Sequence, residues 1–361
     1  MMAPPRTSTA AGLVLCLLAL GPVAEAADRR EARREYLEVL SLWSQGSRDR
    51  AVDRLAVALT DSEGSGRRTG IDRAVGSTAR RLARNLGAGA LLPLALLHEE
   101  VYARQAQEPR GRASGALRPA LELLSIFEAE AKTRDDRAVV SALQTSLAGR
   151  MAEAHVEVAS LGLTRSALRA DPSNRAALFA VAVSAERFGD HAAAVRSLEA
   201  LLRVDPEHRE SRLRLALNLM RIGEKDEGLE ELRRLVSEGG REDWIAAVAR
   251  QELARHLIDR DEIARARDVL REISDRRLRD PALAVQTAFV DERSDGGEVE
   301  DLFTALSRAA ATSEAPSRTL YLRAPNDLLE ELRRDLLRRE QEWSSRLDRF
   351  LRDHEPALSG R

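Results

Sequence analysis

Cysteine is almost absent from this chain of 361 residues, which contains one, Cys16. It lies in the apolar stretch Gly12–Ala24 near the N-terminus. If that stretch is removed on export, the mature protein has no cysteine. Disulfide bonds and thiol chemistry are then excluded from its stability and its function.

Aromatic residues make up only 3% of the chain, and Lys132 and Lys225 are its only lysines. Strands favour aromatic and β-branched side chains, which are scarce here. Alanine, leucine, arginine and glutamate are abundant, and all four favour helices. The composition therefore predicts an all-α protein.

An excess of positive charge is also missing. Acidic residues number 59 against 57 basic ones, the net charge is −2, and the two signs are interleaved along the chain. No basic block stands apart from glutamate and aspartate, as an electrostatic surface for nucleic acid would require. The arginines are interpreted as solvated helix faces paired with acids, and no nucleic-acid partner is expected.

The N-terminus has the pattern of a secretory signal. Arg6 supplies a positive start, Gly12–Ala24 is the apolar region, and Ala24-Glu25-Ala26 fits a cleavage site. We expect residues 1–26 to be removed and the mature protein to be periplasmic or secreted, without a membrane association. The alternative is an uncleaved inner-membrane anchor, although the apolar run is short for a span. A second span is not expected, since Leu91–Leu97 is far too short.

A repeat with a period of about 34 residues runs through the middle of the chain. The dipeptides Asp171-Pro172 and Asp205-Pro206 are separated by this interval, as are Phe188-Gly189 and Ile222-Gly223. Small and apolar positions recur in the same register. The matches are Val181 with Leu215, Ala182 with Ala216, Ala194 with Gly228, Val195 with Leu229, Leu198 with Leu232, and Leu201 with Leu235.

Each repeat is predicted to be a helix, a tight turn and a second helix. Proline fits a first helical turn, and aspartate caps helix starts, so Asp205 should end one helix and cap the next. Gly189 and Gly223 fall where a left-handed residue can close the first helix. Leu198 should fill the space between paired helices.

These features resemble the tetratricopeptide repeat family in period, in small-residue positions, in the mid-unit glycine and in the closing Asp-Pro. The sequence departs from the family where Leu178 and Arg212 replace an early aromatic residue, and where Ala185 and Leu219 replace a tyrosine. The resemblance implies an α-solenoid of helix-turn-helix repeats over residues 135–280, closest over 173–236.

The repeat pattern continues outward with slippage. Asp243–Ile273 fits a further unit, displaced by an insertion near Gly239-Gly240, and Arg137–Ala170 and Tyr36–Leu59 fit more loosely. Residues 27–134 are expected to be a divergent helical region. Within it, residues 64–70 and 108–115 are predicted loops.

Residues 281–361 are expected to hold C-terminal helices and a cap, with two helices flanking Ser294–Gly297. The last helix is predicted over Asn326–Leu351, where apolar residues recur every seven positions and Glu340 interrupts the seam. It either caps the array or forms a coiled coil with a second copy or a partner.

Signatures of catalysis are lacking. None of the six histidines has a second histidine three or four residues on, and Tyr102 stands where His98-Glu99-Glu100 would need its second zinc ligand. There is no nucleophile elbow, phosphate-binding loop or dinucleotide fingerprint. We expect no enzyme activity, no cofactor and no metal site.

The family resemblance implies a concave face built from first helices and used for binding a protein. Five of its seven expected residues are apolar, which suits a helical or extended apolar segment. Basic and amide groups for a terminal carboxylate are not expected there. The groove is either open or filled by the chain itself. The expected residues are Phe179, Val183, Glu186, Leu213, Leu217, Met220 and Arg221.

A non-catalytic adaptor in the cell envelope is the function that these features favour. The alternatives are a membrane-anchored assembly factor and an accessory subunit of an envelope enzyme. Self-association through the C-terminal helix is a further expectation, and the identity of the protein partner does not follow from the sequence.

Overall fold

The computed structural model describes residues 30–60, 66–107, 114–240, 243–273 and 327–359. Across these ranges the regular structure is helical, which confirms the all-α prediction. The chain divides into two compact units. Unit 1 comprises the described residues up to Asn174 together with those from Leu329 onward, and unit 2 runs from Arg175 to Leu328. The division differs from the boundary expected between residues 134 and 135.

Over the described residues, unit 1 contains seven α-helices and one 3-10 helix of the N-terminal half, and the long C-terminal helix. Their bounds are α1 (residues 30–44), α2 (Arg48–Thr60), α3 (Gly66–Leu86), a 3-10 helix (Ala88–Leu91), α4 (Leu92–Ala106), α5 (Ser114–Glu130), α6 (Arg134–Glu153) and α7 (Glu157–Ala170), with α14 (Asp327–Ser359). Because α3 begins at Gly66, most of the loop predicted over 64–70 is helical instead.

Unit 2 consists, in its described part, of three stacked helix pairs. They are α8 (Arg175–Arg187) with α9 (His191–Val204), α10 (Arg209–Ile222) with α11 (Lys225–Glu238), and α12 (Trp244–Asp259) with α13 (Ile263–Arg271). Each helix packs on the next along the chain, which is the solenoid arrangement expected from the repeat. The two helices expected around Ser294–Gly297 lie outside the described residues.

A left-handed residue closes the first helix of five helix pairs, two in unit 1 and three in unit 2. Its φ is 84° at Gly46, 60° at His155, 75° at Gly189, 100° at Gly223 and 61° at Asp261. In each turn the next amide donates to the carbonyl five residues earlier, as Asp190 does to Ala185. These bonds satisfy carbonyls that the helix end would leave without partners. The predicted role of the two mid-unit glycines is confirmed.

The same residues fix the register of the repeats. His155, Gly189 and Gly223 follow one another at exact intervals of one repeat period, whereas Asp261 follows Gly223 after a longer interval. The extra residues fall around Gly239-Gly240, between α11 and α12. This confirms the predicted insertion, and the next helix pair forms nevertheless because the turn geometry is restored beyond it.

Asp205 ends α9, as expected, but it does not cap α10. Its amide donates to Leu201, and two further residues precede the true N-cap, His208, whose Nδ1 accepts from the amide of Ser211 at 3.2 Å. The carboxylate of Asp205 instead accepts from Arg175 at 2.6 Å. The Asp-Pro corner is therefore longer than the sequence suggested, and its acid ties the end of α9 to the start of α8 within one helix pair.

Buried arginines occupy the early first-helix position of two repeats. Arg212 and Arg250 are exposed by only 4% each. Arg212 donates to the carbonyl of Pro206 and to Glu238, and Arg250 donates to the carbonyl of Gly240 and to Glu272. The aliphatic part of each arginine side chain takes the position that an aromatic ring occupies in the family. Its guanidinium group donates to a backbone carbonyl in the turn before the helix.

Leu198 lies fully inside unit 2, as predicted, among Ala182, Val195, Leu215 and Leu219. Small residues keep the paired helices close. A Cβ added at Gly228 would lie 2.7 Å from Cγ of Met220 and 2.8 Å from the carbonyl of Ala216. The glycine is therefore required by packing rather than by backbone conformation.

Helix α14 packs against the N-terminal helices of unit 1. Leu336, Leu347 and Phe350 join their core, and Leu329 is also buried. Glu340, which interrupts the apolar seam, is fully buried; it accepts from Nε1 of Trp43 at 3.0 Å and pairs with Arg48. The apolar seam of α14 is thus used within the chain, and self-association through α14 stays a prediction.

Candidate functional site

A pocket of about 630 Å³ opens in unit 2 beside helices α8 and α10. Its volume lies in the range of ligand-binding clefts. First helices of two successive repeats and the start of α9 supply its walls. The lining residues are Val183, Glu186, Arg187, His191, Arg214, Leu217, Asn218 and Arg221.

The apolar part of the pocket comes from Val183 on α8 and Leu217 on α10. Both side chains are half-buried, so each keeps surface that a ligand could cover. The following turn of each helix brings an arginine to the same pocket, Arg187 on α8 and Arg221 on α10. Both arginines are exposed.

A ladder of charged hydrogen bonds forms the polar wall. Arg214 donates to Glu186 at 2.6 Å and to Glu210 at 3.0 Å, and its side chain is only 4% exposed. Asn218 donates to Glu186 at 2.7 Å. The two bonds to Glu186 cross from α10 to α8, so they join two repeats as well as shaping the pocket.

Burial raises the pKa of Glu210, and the charge of Arg214 works against that rise. The guanidinium of Arg214 also lies 5.0 Å from the ring centroid of Phe179, above the ring. A cation held between two carboxylates and an aromatic ring is fixed in place. Arg214 therefore has a structural role in the wall. A ligand would meet a guanidinium group that is held in place by its carboxylate partners.

His191 continues the ladder to the pocket mouth. Its Nδ1 lies 2.8 Å from Oδ1 of Asn218, and because that oxygen only accepts, Nδ1 carries the proton in this pair. The other ring nitrogen, Nε2, then faces Nη1 of Arg221 at 3.5 Å. The contact holds Arg221 near the mouth.

Four of the seven expected groove residues line this pocket, namely Val183, Glu186, Leu217 and Arg221. Met220 is half-buried and packs toward Gly228 on α11. Whether any of them binds a partner stays a prediction. What the fold adds is that these four residues, from two repeats, share one cavity.

Phe179 and Leu213 differ from the expectation of an open face. Their side chains are exposed by 3% and 0%. Phe179 packs edge-on against His208, with ring centroids 5.8 Å apart, and Leu213 joins the core between α10, α11 and α12. Along α8 and α10, the expected groove is thus filled by the chain near the N-terminal ends of the two helices and open near their C-terminal ends.

Four lining residues did not follow from the sequence, namely Arg187, His191, Arg214 and Asn218. Arg187 could have been found, because it stands one repeat period before Arg221. The expectation that the face lacks basic and amide groups is corrected, since Arg214 and Asn218 stand in the wall. Their polar side chains face inward because each finds carboxylate or carbonyl partners there.

Within the described ranges, no three histidine, cysteine or carboxylate side chains lie together as a metal site would need. None of the helices described there is both long and apolar enough to cross a membrane. The pocket lining consists of three arginines, one carboxylate, one imidazole, one amide and two aliphatic side chains.

Comparison with protein families finds a match to the tetratricopeptide repeat model over residues 187–250. The match begins beside the left-handed turn of the α8–α9 pair and ends inside α12. A search of curated proteins returned no match. The family match, the helix pairs and their repeated turns together show that this part of unit 2 is built from tetratricopeptide repeats.

Proposed function

We propose that the chain is a non-catalytic adaptor and that the pocket beside α8 and α10 binds a helical or extended segment of a protein partner. Tetratricopeptide repeats generally mediate protein–protein interaction, which supports the class of function. The observation that carries the proposal is the combination of half-buried Val183 and Leu217 with a wall of polar groups fixed by one another.

A prearranged wall favours binding because its groups lose little freedom when a ligand arrives. Covering two aliphatic side chains supplies the hydrophobic part of the affinity. The polar wall supplies orientation, since its donors and acceptors are held at defined positions by Glu186 and Asn218.

The experiment is capture of the native partner with purified protein and with the variant Val183→Glu plus Leu217→Glu. We expect the captured partner to fall at least about tenfold, because two charges would be buried by the bound segment. The amounts are measured by quantitative mass spectrometry of the captured material. Helix content by circular dichroism verifies that the variant remains folded.

Val158→Glu is the matched control. Val158 lies on α7 with 83% of its surface exposed, so the same substitution adds a charge without touching the pocket. Capture should be unchanged by it. Equal capture by the folded pocket variant would contradict the proposal. A captured enzyme whose activity requires this chain would favour the accessory-subunit alternative.

The proposal includes export of the protein to the periplasm or beyond, supported by the signal pattern of residues 1–26. The intact mass of the protein in fractionated cells tests it. A mature start near Ala27 is expected. Retention of residues 1–26 in a membrane fraction would favour the anchored assembly factor instead.

A further inference from the structure

Two contacts in the pocket depend on the protonation state of His191. Its Nδ1 lies 2.8 Å from Oδ1 of Asn218, and its Nε2 lies 3.5 Å from Nη1 of Arg221. An amide oxygen only accepts a hydrogen bond, and a guanidinium group only donates one. One form of the ring satisfies both contacts, namely the neutral imidazole with its proton on Nδ1.

The orientation of the Asn218 side chain is fixed by its other partners. Its Nδ2 donates to Glu186 at 2.7 Å and to the carbonyl of Arg214 at 2.7 Å. A carboxylate and a carbonyl only accept, so the amide nitrogen must face them and the amide oxygen faces His191. The proton on Nδ1 of His191 is thus required by a hydrogen-bond network that reaches across to α8.

A second proton on His191 would add a cation to a pocket that already has an excess of them. Helix α9, which begins at His191, packs against α8 and α10. At the start of α9 itself, the carboxylate of Asp190 accepts from the amide of Ala193. The charged groups that α8 and α10 place in the pocket are Glu186, Arg187, Arg214 and Arg221. Three guanidinium groups therefore stand against one carboxylate, which already accepts from Arg214 and Asn218.

A proton on Nε2 would also remove the acceptor that holds Arg221 at the pocket mouth. Two N–H donors, each on a positive group, would then face each other, and like charges repel. Arg221 is exposed, so its side chain can move into solvent when this contact is lost. The start of a helix carries a positive partial charge, which adds to the cost of a cation at the first residue of α9.

Resting on the proposed function, we propose that His191 makes partner binding in this pocket dependent on pH. With a neutral ring, Asn218 and Arg221 are held in place, and the wall is prearranged for the partner. With a charged ring, the contact with Arg221 is lost, and a bound segment would have to cover a cation. The complex thus binds fewer protons than the free protein, so affinity rises with pH. Histidine side chains change their charge between pH 5 and 8, and binding should weaken as the pH falls through this range.

The first test measures the ring of His191 in the full-length protein without a partner. Two-bond proton–nitrogen correlation spectra at pH 8 distinguish the two neutral tautomers, and the signal of His191 is identified by its loss in His191→Asn. We expect the proton on Nδ1. A proton on Nε2 would overturn the proposal, because Arg221 would then have no acceptor on this ring.

The second test measures capture of the native partner at pH 7.5 and at pH 6.0 by quantitative mass spectrometry. Capture by the wild type should fall at least about threefold between the two values. His191→Asn should change by less than about 1.5-fold, because its amide keeps a donor near the position of Nδ1 but does not titrate. His191→Gln is a second variant with the same expectation. Circular dichroism at both pH values verifies that each protein is folded.

His256→Asn is the matched control. His256 lies on α12 in the same unit and outside the pocket lining, so this variant should keep the full loss of capture at pH 6.0. The buried His98 of unit 1 is present in every one of these proteins, so its titration cannot cause a difference between them.

An equal fall in capture for the wild type and both His191 variants overturns the proposal, since another group would then carry the pH dependence. So does capture by the wild type that is unchanged between pH 7.5 and pH 6.0. In either case the adaptor function stands if Val183→Glu plus Leu217→Glu still reduces capture at pH 7.5. If that double variant captures normally, the adaptor function itself fails.

Discussion

Single residues change the stability of the turns in this protein, and glycine at the left-handed position is the clearest case. A Cβ at Gly189 would meet nothing within 4 Å, so the demand for glycine there comes from its φ of 75°. His155 and Asp261 fill the equivalent position with side chains and accept the conformational cost. The turn is thus set by the hydrogen bonds around it, and glycine only lowers its energy.

Gly189→Ala should lower the free energy of unfolding by about 1 kcal/mol, because alanine is strained in the left-handed region. Gly162→Ala is the matched control. Gly162 lies inside α7, also with open space around its Cβ, and alanine there should raise stability by up to about 1 kcal/mol. Urea denaturation measures both. The same sign for the two variants would contradict this account.

His98 is the buried titratable residue with the clearest consequence for stability. It is fully inside unit 1, its Nε2 lies 3.1 Å from the hydroxyl of Tyr36, and burial lowers its pKa to about 3. The unfolded chain binds a proton at this histidine near pH 6.5, whereas the folded chain does not. Folding is therefore opposed as the pH falls below that value.

Between pH 7 and pH 5, His98 should remove about 2 kcal/mol of stability, since one pKa unit corresponds to about 1.4 kcal/mol. The expected result is a steeper loss in the wild type than in His98→Gln. The comparison is needed because burial raises the pKa of the adjacent Glu99, which acts in the opposite direction. Parallel stability curves for the two proteins would show that His98 does not carry this dependence.

At the scale of one helix, α10 divides its two neighbouring leucines between core and pocket. Leu213 is fully buried against α11 and α12, whereas Leu217, one turn later, lines the pocket. In the sequence the two are the same residue type on the same face. Leu217 packs against the edge of the same core cluster but keeps part of its surface in the pocket.

Leu213→Glu should cost more than about 3 kcal/mol, because an unpaired carboxylate would replace a core side chain. Leu217→Glu should cost about 1 kcal/mol, since that side chain is half-buried. Thermal denaturation followed by circular dichroism compares the two. Comparable losses would mean that Leu217 belongs to the core and that the pocket is closed in solution.

At the scale of the whole molecule, unit 1 contains a contact between the two ends of the described chain. Trp43 and Arg48 near the start meet Glu340 of α14, almost three hundred residues later, within unit 1. Glu340 also accepts from Ser344 one turn along its own helix. Glu340, which interrupts the apolar seam of α14 in the sequence, thus joins that helix to the N-terminal helices through buried polar contacts.

Glu340→Ala should lower the stability of unit 1 by about 3 kcal/mol, because it leaves the indole N–H of Trp43 and the nearby Arg48 without their buried acceptor. Glu342→Ala, on the exposed face of the same helix, should change stability by less than about 0.5 kcal/mol. Tryptophan fluorescence during denaturation measures both. A similar effect of the two substitutions would show that Glu340 does not stabilise unit 1 through these contacts.

The sequence by itself determined the helix pairs, their repeat period, the insertion before the last described pair and the core position of Leu198. These features follow from local rules, namely apolar periodicity, turn residues and proline, which act over a few neighbouring positions. Val183 and Leu217 also meet in the pocket for this reason, because the period repeats the place of Val183 on the next first helix.

Only the tertiary structure decided which of those positions are open. Phe179 and Leu213 became core because Arg214 and the neighbouring helices cover them, and Asn218 faces the pocket because Glu186 receives its amide. The return of α14 to the N-terminal helices was equally beyond the sequence. Such contacts join residues that are far apart in the chain. Their energy depends on burial and on bonding partners, which cannot be read from a short stretch of sequence.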